Sequence, residues 1–338
     1  MSIIITVVAF GVMIALHEFG HFITAKSFGV LVHEFSIGMG PKLFSVNKGE
    51  TQYSLRLLPI GGYVKLEGET ETNDETDPRC FVNLHPLKRI VILFSGALMN
   101  FVLGFLIFFF LNLNLGIVPS KVAQIPEEYT ETVFIQGDEI TKLNNTSIHT
   151  FDDVSLFMSR YDKDTLDVVV KRNGKKIKFS DIKLHKVNNA YKLGVVFAQE
   201  KAGILKSGEY AIYNTIYISK AVMFSLADLM RGEVPVDSLS GPVEIVSVIG
   251  EVTKKSSNQV YLWILSLFAM ISVNLGVFNL LPFPALDGGS IVFALYELIT
   301  GKKVKNEIIS YVTLVGFTLL MLLALFVTVG DIKDLIIK

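Results

Sequence analysis

Residues 14–24 read IALHEFGHFIT. Two histidines and a glutamate stand inside an apolar run that begins at Ile3. Ionisable side chains are costly in such a run, and they mark a functional task. The run can cross the roughly 30 Å of a bilayer's hydrocarbon as a helix, which takes about 20 residues. On a helix, positions four apart lie one above the other on one face. His17 and His21 therefore direct two imidazoles to one point, with Glu18 beside them. Two neutral imidazoles suit Zn²⁺, and a neighbouring glutamate can take a proton from a water whose pKa the metal lowers to about 7. The pattern is that of metal-assisted peptide hydrolysis. The alternative is a pair of interhelical hydrogen-bonding histidines with Glu18 facing a water pocket. His33, His85, His149 and His185 lie in polar segments and read as surface or loop histidines.

The rest of the chain is built for the same surroundings. Of its 338 residues 51% are hydrophobic, with a mean hydropathy of +0.49, too apolar for an ordinary soluble domain of this length. A net charge of −1 gives no field for nucleic acid, and none is expected as a partner. One cysteine, Cys80, excludes an internal disulfide framework and a four-cysteine zinc site. The first segment has no basic leader and no small-residue cleavage site, so it is expected to be a retained anchor. Residues 90–111, 256–286 and 308–329 carry no charge and supply three more candidate spans. Lys26, Lys88, Arg89, Lys302, Lys303 and Lys305 fall on one side of a four-span arrangement. That side is expected to be the cytoplasm, with both chain ends and the long 112–255 region outside.

Between the spans the composition shifts. Residues 31–66 read as strands punctuated by Gly38, Gly40, Pro41, Pro59, Gly61 and Gly62. Residues 67–78 form an acidic, solvated connector. Residues 117–200 are polar with short alternating strands, and Asn173-Gly174 predicts a hairpin turn. Residues 210–232 carry apolar residues at helical spacing, which predicts an amphipathic helix on the membrane surface or on the bundle, a fifth span being the alternative. The expected division is a membrane half over 1–112, a β-rich domain over 113–200, an amphipathic linker region over 201–255 and a second membrane half over 256–338.

A catalytic zinc site needs a third protein ligand and an open position for water. Asp287 is the first charged residue after the uncharged 256–286 run. Pro282 and Pro284 break the helix just before it, and Gly288 and Gly289 permit a close turn after it. Irregular backbone at membrane depth is tolerated only where protein or a water cavity surrounds it. Asp287 is thus either a ligand on an interior broken helix or a carboxylate that ends the span at the boundary.

These residues carry a resemblance. The stretches HEFGHFITAKSFGVLVHEFSIGMGPKLFS, PIGGYVKLEGE, SGALMNF, LSGPVEIV and NLLPFPALDGG resemble, in order, the site-2 protease family of intramembrane zinc metalloproteases. The likeness is to the bacterial branch that includes the regulator of sigma-E protease. It implies a polytopic α-helical membrane protein with about four transmembrane helices, a membrane-associated β-region and one extracytoplasmic PDZ-like α+β domain. It implies Zn²⁺ held by His17, His21 and Asp287, with Glu18 as general base. Asn279, which opens the NxxPxPxLDG motif, either holds an extended substrate backbone or, like Asn274, makes an ordinary interhelical contact. The β-region is expected to receive substrate as an added strand. Val133 replaces a usual glycine and no Gly-Leu-Gly-Phe-like loop is present, so the PDZ-like domain is expected to filter bulky substrates. Met39, Ala97 and Glu244 are smaller departures.

The implied partners are the lipid bilayer of a cell membrane and single-span membrane proteins, such as anti-sigma factors or remnant signal peptides, already trimmed by another protease. Competing with this is a non-proteolytic metal-binding, transport or scaffolding membrane protein. An ion path would need further ionisable residues in the other spans, and the second and fourth have none. A dead scaffold would have lost Glu18 or a ligand, and all four residues are present.

Overall fold

A computed structural model describes residues 2–68, 77–129, 132–188, 190–235, 241–254 and 259–337. Most of the acidic 67–78 connector and the first two residues of LSGPVEIV lie outside that set, as do residues 256–258. The helices are α1 Ser2–Ser27, α2 Pro86–Leu115, α3 Phe151–Ser159, α4 Ile204–Arg231, α5 Pro242–Lys254, α6 Val260–Asn279, α7 Asp287–Thr300 and α8 Asn306–Ile337. Four of them, α1, α2, α6 and α8, are long and apolar enough to cross a membrane. The third apolar run does not continue to Leu286. It leaves the helix at Asn279 and restarts at Asp287, around the two prolines. The amphipathic 210–232 segment lies mostly within α4 and is not among the four apolar helices.

The chain forms two compact units, residues 105–221 and the remainder. In the smaller unit the strands are β3 Val122–Gln124, β4 Glu139–Leu143, β5 Thr146–Ser147, β6 Thr165–Arg172, β7 Lys175–Lys183, β8 His185–Val187, β9 Ala190–Lys192 and β10 Val196–Phe197, numbered after the two long strands β1 and β2 of the other unit. An antiparallel sheet runs β5-β4-β6-β7, and β10 pairs with β3. Along β6, Leu166, Val168 and Val170 point inward by the period of two, onto Ile140 and Leu143. The expected turn joins β6 to β7, with Asn173 at φ 50° and Gly174 at φ 78°, both left-handed as a type I′ hairpin requires. Helix α3 starts in a capping box formed by Thr150 and Asp153.

The larger unit holds β1 Val32–Lys48 and β2 Thr51–Leu66. Each bends once, so together they make four segments. Residues 42–48 pair with 51–56, and 32–37 pair with 62–66, both antiparallel. Residues 34–37 also advance in step with 52–55, which joins the two hairpins side by side. One side chain ties three of these segments and the bend at Gly40. Arg56 donates to Glu34 at 2.9 Å, Ser36 Oγ at 3.0 Å, the Gly40 carbonyl at 2.6 Å and Tyr63 Oη at 2.5 Å. Burial works against a charged Glu34, but hydrogen bonds from Ser54, Tyr63, Arg56 and Lys42 outweigh it and hold its pKa at about 2.

Helices α1, α5 and α6 share a core of Met13, Ile249, Phe268 and Ile271. The start of α5 is fixed from far along the chain: Asp331 of α8 accepts from the backbone N–H groups of Gly241, Val243 and Glu244. Such a carboxylate at a helix N-terminus meets both the orphan donors and the dipole. A half-buried ion pair, Arg89 with Glu297, ties the start of α2 to α7.

Removing one partner of a half-buried pair leaves the other without its hydrogen bond, so Glu297→Ala is expected to cost about 1–3 kcal/mol. Glu50→Ala, at the exposed Arg79–Glu50 pair, is expected to cost at most about 1 kcal/mol. Thermal unfolding in detergent compares the two. Glu34 binds its proton less readily in the fold than at its ordinary value of 4.5. Its stabilisation is therefore complete above pH 4.5 and lost as the pH falls through about 2. Glu34→Gln is expected to flatten that acid limb in a stability-versus-pH series.

Candidate metal centre

Helix α1 presents His17 and His21 one turn apart, and both are buried. Their Nε2 atoms stand 3.1 Å apart. Asp287 Oδ2 lies 3.2 Å from the first and 3.3 Å from the second. The structure thus brings together the two histidines and the aspartate expected from the sequence. Tetrahedral zinc, at roughly 2.0–2.1 Å from imidazole nitrogen and carboxylate oxygen, keeps such atoms about 3.3 Å apart. Asp287 Oδ2 is buried and accepts no hydrogen bond among the described residues. The triangle and its orphaned oxygen fit a zinc ion.

The backbone around Asp287 is shaped for this approach. Asp287 is the first residue of α7, and Leu286 before it is extended. Ala285 takes φ 74°, a left-handed conformation costly for any residue but glycine. A Cβ on Gly289 would stand 2.4 Å from the Phe283 carbonyl oxygen, so only glycine lets the chain double back there. Helix α2 closes the opposite side. Gly96 faces the histidines so closely that a Cβ would come 2.3 Å from His21 Nε2. The Ile92 carbonyl accepts from His21 Nδ1 at 2.8 Å, and the Asn100 amide meets His17 Nδ1 at 3.2 Å.

Glu18 is half-buried beside the triangle. Its carboxylate accepts from the Val64 backbone N–H, and its Cγ packs over Gly62. Segment 62–66, the outer segment of the sheet, therefore runs directly past this carboxylate. Asn279 closes α6, half-buried, and makes no side-chain hydrogen bond among the described residues. Asn274 Oδ1 is buried without a hydrogen-bond partner among the described residues. Ile92, Gly96, Asn100 and Val64 have no role in the sequence reading, although Asn100 stands out there as an amide in an uncharged span.

An HExxH helix packed among helices able to span a membrane is the make-up of a membrane-embedded metalloprotease. Residues 5–323 match peptidase family M50, and the chain belongs to that family. A predicted zinc metalloprotease of Clostridium acetobutylicum is 38% identical over 336 residues, 98% of this chain and 97% of its own. One of Clostridium perfringens is also 38% identical, covering 98% of both chains. The regulator of sigma-W protease RasP of Bacillus subtilis is 33% identical over 73% of this chain and 60% of its own. The protein is a zinc metalloprotease, and zinc is its cofactor.

Gly96→Ala would drive a methyl group into the histidine pair. The expected result is at least about a tenfold loss of zinc affinity with helical content unchanged, measured by metal analysis and circular dichroism on the same sample.

Proposed function

We propose that His17, His21 and Asp287 hold the zinc and that Glu18 is the general base of an intramembrane endopeptidase. The observation that carries this is the convergence of three candidate ligand atoms within 3.3 Å, beside the carboxylate of Glu18. Zinc supplies Lewis acidity to the scissile carbonyl and to the attacking water. Glu18 takes the proton of that water and returns it to the leaving nitrogen as the peptide bond breaks. A peptide inside a transmembrane helix is hydrogen-bonded to its own turn and must be unwound before its carbonyl can be reached. Segment 62–66 supports this step, because it lies against Glu18 and no strand among the described residues pairs with its far side. An extended substrate adds there as one more strand. Asn279, with an unengaged amide, holds the substrate backbone.

The substrates we infer are transmembrane segments of single-span proteins in the cell membrane, such as anti-sigma factors or remnant signal peptides, after another protease has trimmed them. The β-rich 117–200 region, a PDZ-like domain on the outer side, would exclude untrimmed ones. The similarity to a protease named for sigma-factor regulation supports this class.

Glu18→Gln is expected to retain full zinc and to lose cleavage by at least about 10²–10⁴-fold. His17→Ala is expected to lose both. The assay is cleavage of a trimmed single-span substrate in detergent micelles, with zinc measured on the same preparations. Equal, full zinc in both variants would overturn the ligand assignment. Cleavage by Glu18→Gln at the wild-type rate would overturn the base.

A further inference from the structure

The two histidines are steadied differently. His21 Nδ1 donates to a backbone carbonyl, that of Ile92. His17 Nδ1 has only a side chain opposite it, the amide of Asn100. Asn100 is fully buried, and its Oδ1 has no hydrogen-bond partner among the described residues. Ser272 of α6 donates to the Asn100 carbonyl at 2.8 Å and fixes the backbone at that point.

We propose that Asn100 is the positioning residue of His17: its side-chain oxygen accepts the Nδ1 proton and so selects the tautomer that offers Nε2 to the metal. This rests on the assignment of His17 as a ligand. An imidazole that ligates through Nε2 carries its proton on Nδ1. In an apolar interior that proton needs an acceptor, and leaving it without one is costly. An asparagine amide offers an acceptor at one end and donors at the other. Half a turn about its terminal bond exchanges the two ends and brings the orphaned oxygen onto the proton. No other acceptor faces His17 Nδ1 among the described residues. Positions 92, 96 and 100 are spaced by four and share one face of α2. That stripe supplies an acceptor for His21, the space left by Gly96, and an acceptor for His17.

The test uses the full-length protein in detergent and three variants: Asn100→Leu, Asn100→Asp and His17→Ala. Zinc affinity is read by competition with a chromogenic chelator, and the Nδ1–H resonances of the histidines by NMR of ¹⁵N-histidine-labelled protein. Asn100→Leu is expected to weaken zinc about 10–100-fold and to shift the His17 Nδ1–H while leaving that of His21 in place. Asn100→Asp keeps an acceptor and is expected to stay within a few-fold of wild type. Wild-type affinity and an unmoved His17 signal in Asn100→Leu would overturn the proposal, as would equal losses in Leu and Asp. If Asn100→Leu does not fold, the wild-type spectrum decides: a His17 Nδ1–H with no hydrogen-bonded shift overturns the proposal. Full zinc in His17→Ala would instead overturn the ligand assignment beneath it.

Discussion

Three candidate ligand atoms, two nitrogens and one oxygen, meet in a triangle 3.1–3.3 Å on a side, and they come from opposite ends of the chain. Holding two imidazoles and a carboxylate that close within apolar surroundings sets the terms for what packs around them. Helix α1 fixes two of the atoms by its own pitch. The third needs a chain that interrupts a helix, turns back on itself and starts another with the carboxylate at its head. The break between α6 and α7 does this with two prolines, a left-handed Ala285 and a glycine that no other residue could replace without collision.

Polar atoms in such a place must be satisfied locally, because no bulk water is at hand. Helix α2 answers this with one stripe of residues. It brings a carbonyl to one histidine, an amide to the other and a missing side chain between them. The face a sequence reading would assign to featureless packing is thus the one that orients the ligands.

In the proposed reaction the sheet would meet the other need, a way to present an unwound peptide. The guanidinium of Arg56 bonds to segments 32–37 and 62–66 and to Gly40 in the bend between 32–37 and 42–48. Holding Gly40 and Tyr63 at once fixes that bend relative to segment 62–66. The outer segment is thereby kept against Glu18. On the proposed roles, a general base and a strand edge placed side by side would let binding and proton transfer act on the same stretch of chain.

Much of this was legible in the chain itself. The i, i+4 spacing of His17 and His21 decides their shared face, because the pitch of a helix is local. The apolar runs decide where four long helices form. Asn173-Gly174 decides a turn, and Pro282 and Pro284 decide a break, because each acts on its own backbone torsions. Other features had no local signature. That Ile92 lends its carbonyl, that Asn100 faces His17, that Val64 reaches Glu18 and that Asp331 caps α5 depend on packing between residues distant in sequence. The in-step pairing of 34–37 with 52–55 is of the same kind. Strand-forming residues announce a strand but not its neighbour. The sequence by itself determined which residues were able to hold a metal. Only the tertiary structure decided that they meet, because a distance of 3.3 Å between α1 and α7 is set by how the intervening helices pack and not by any residue's own preference.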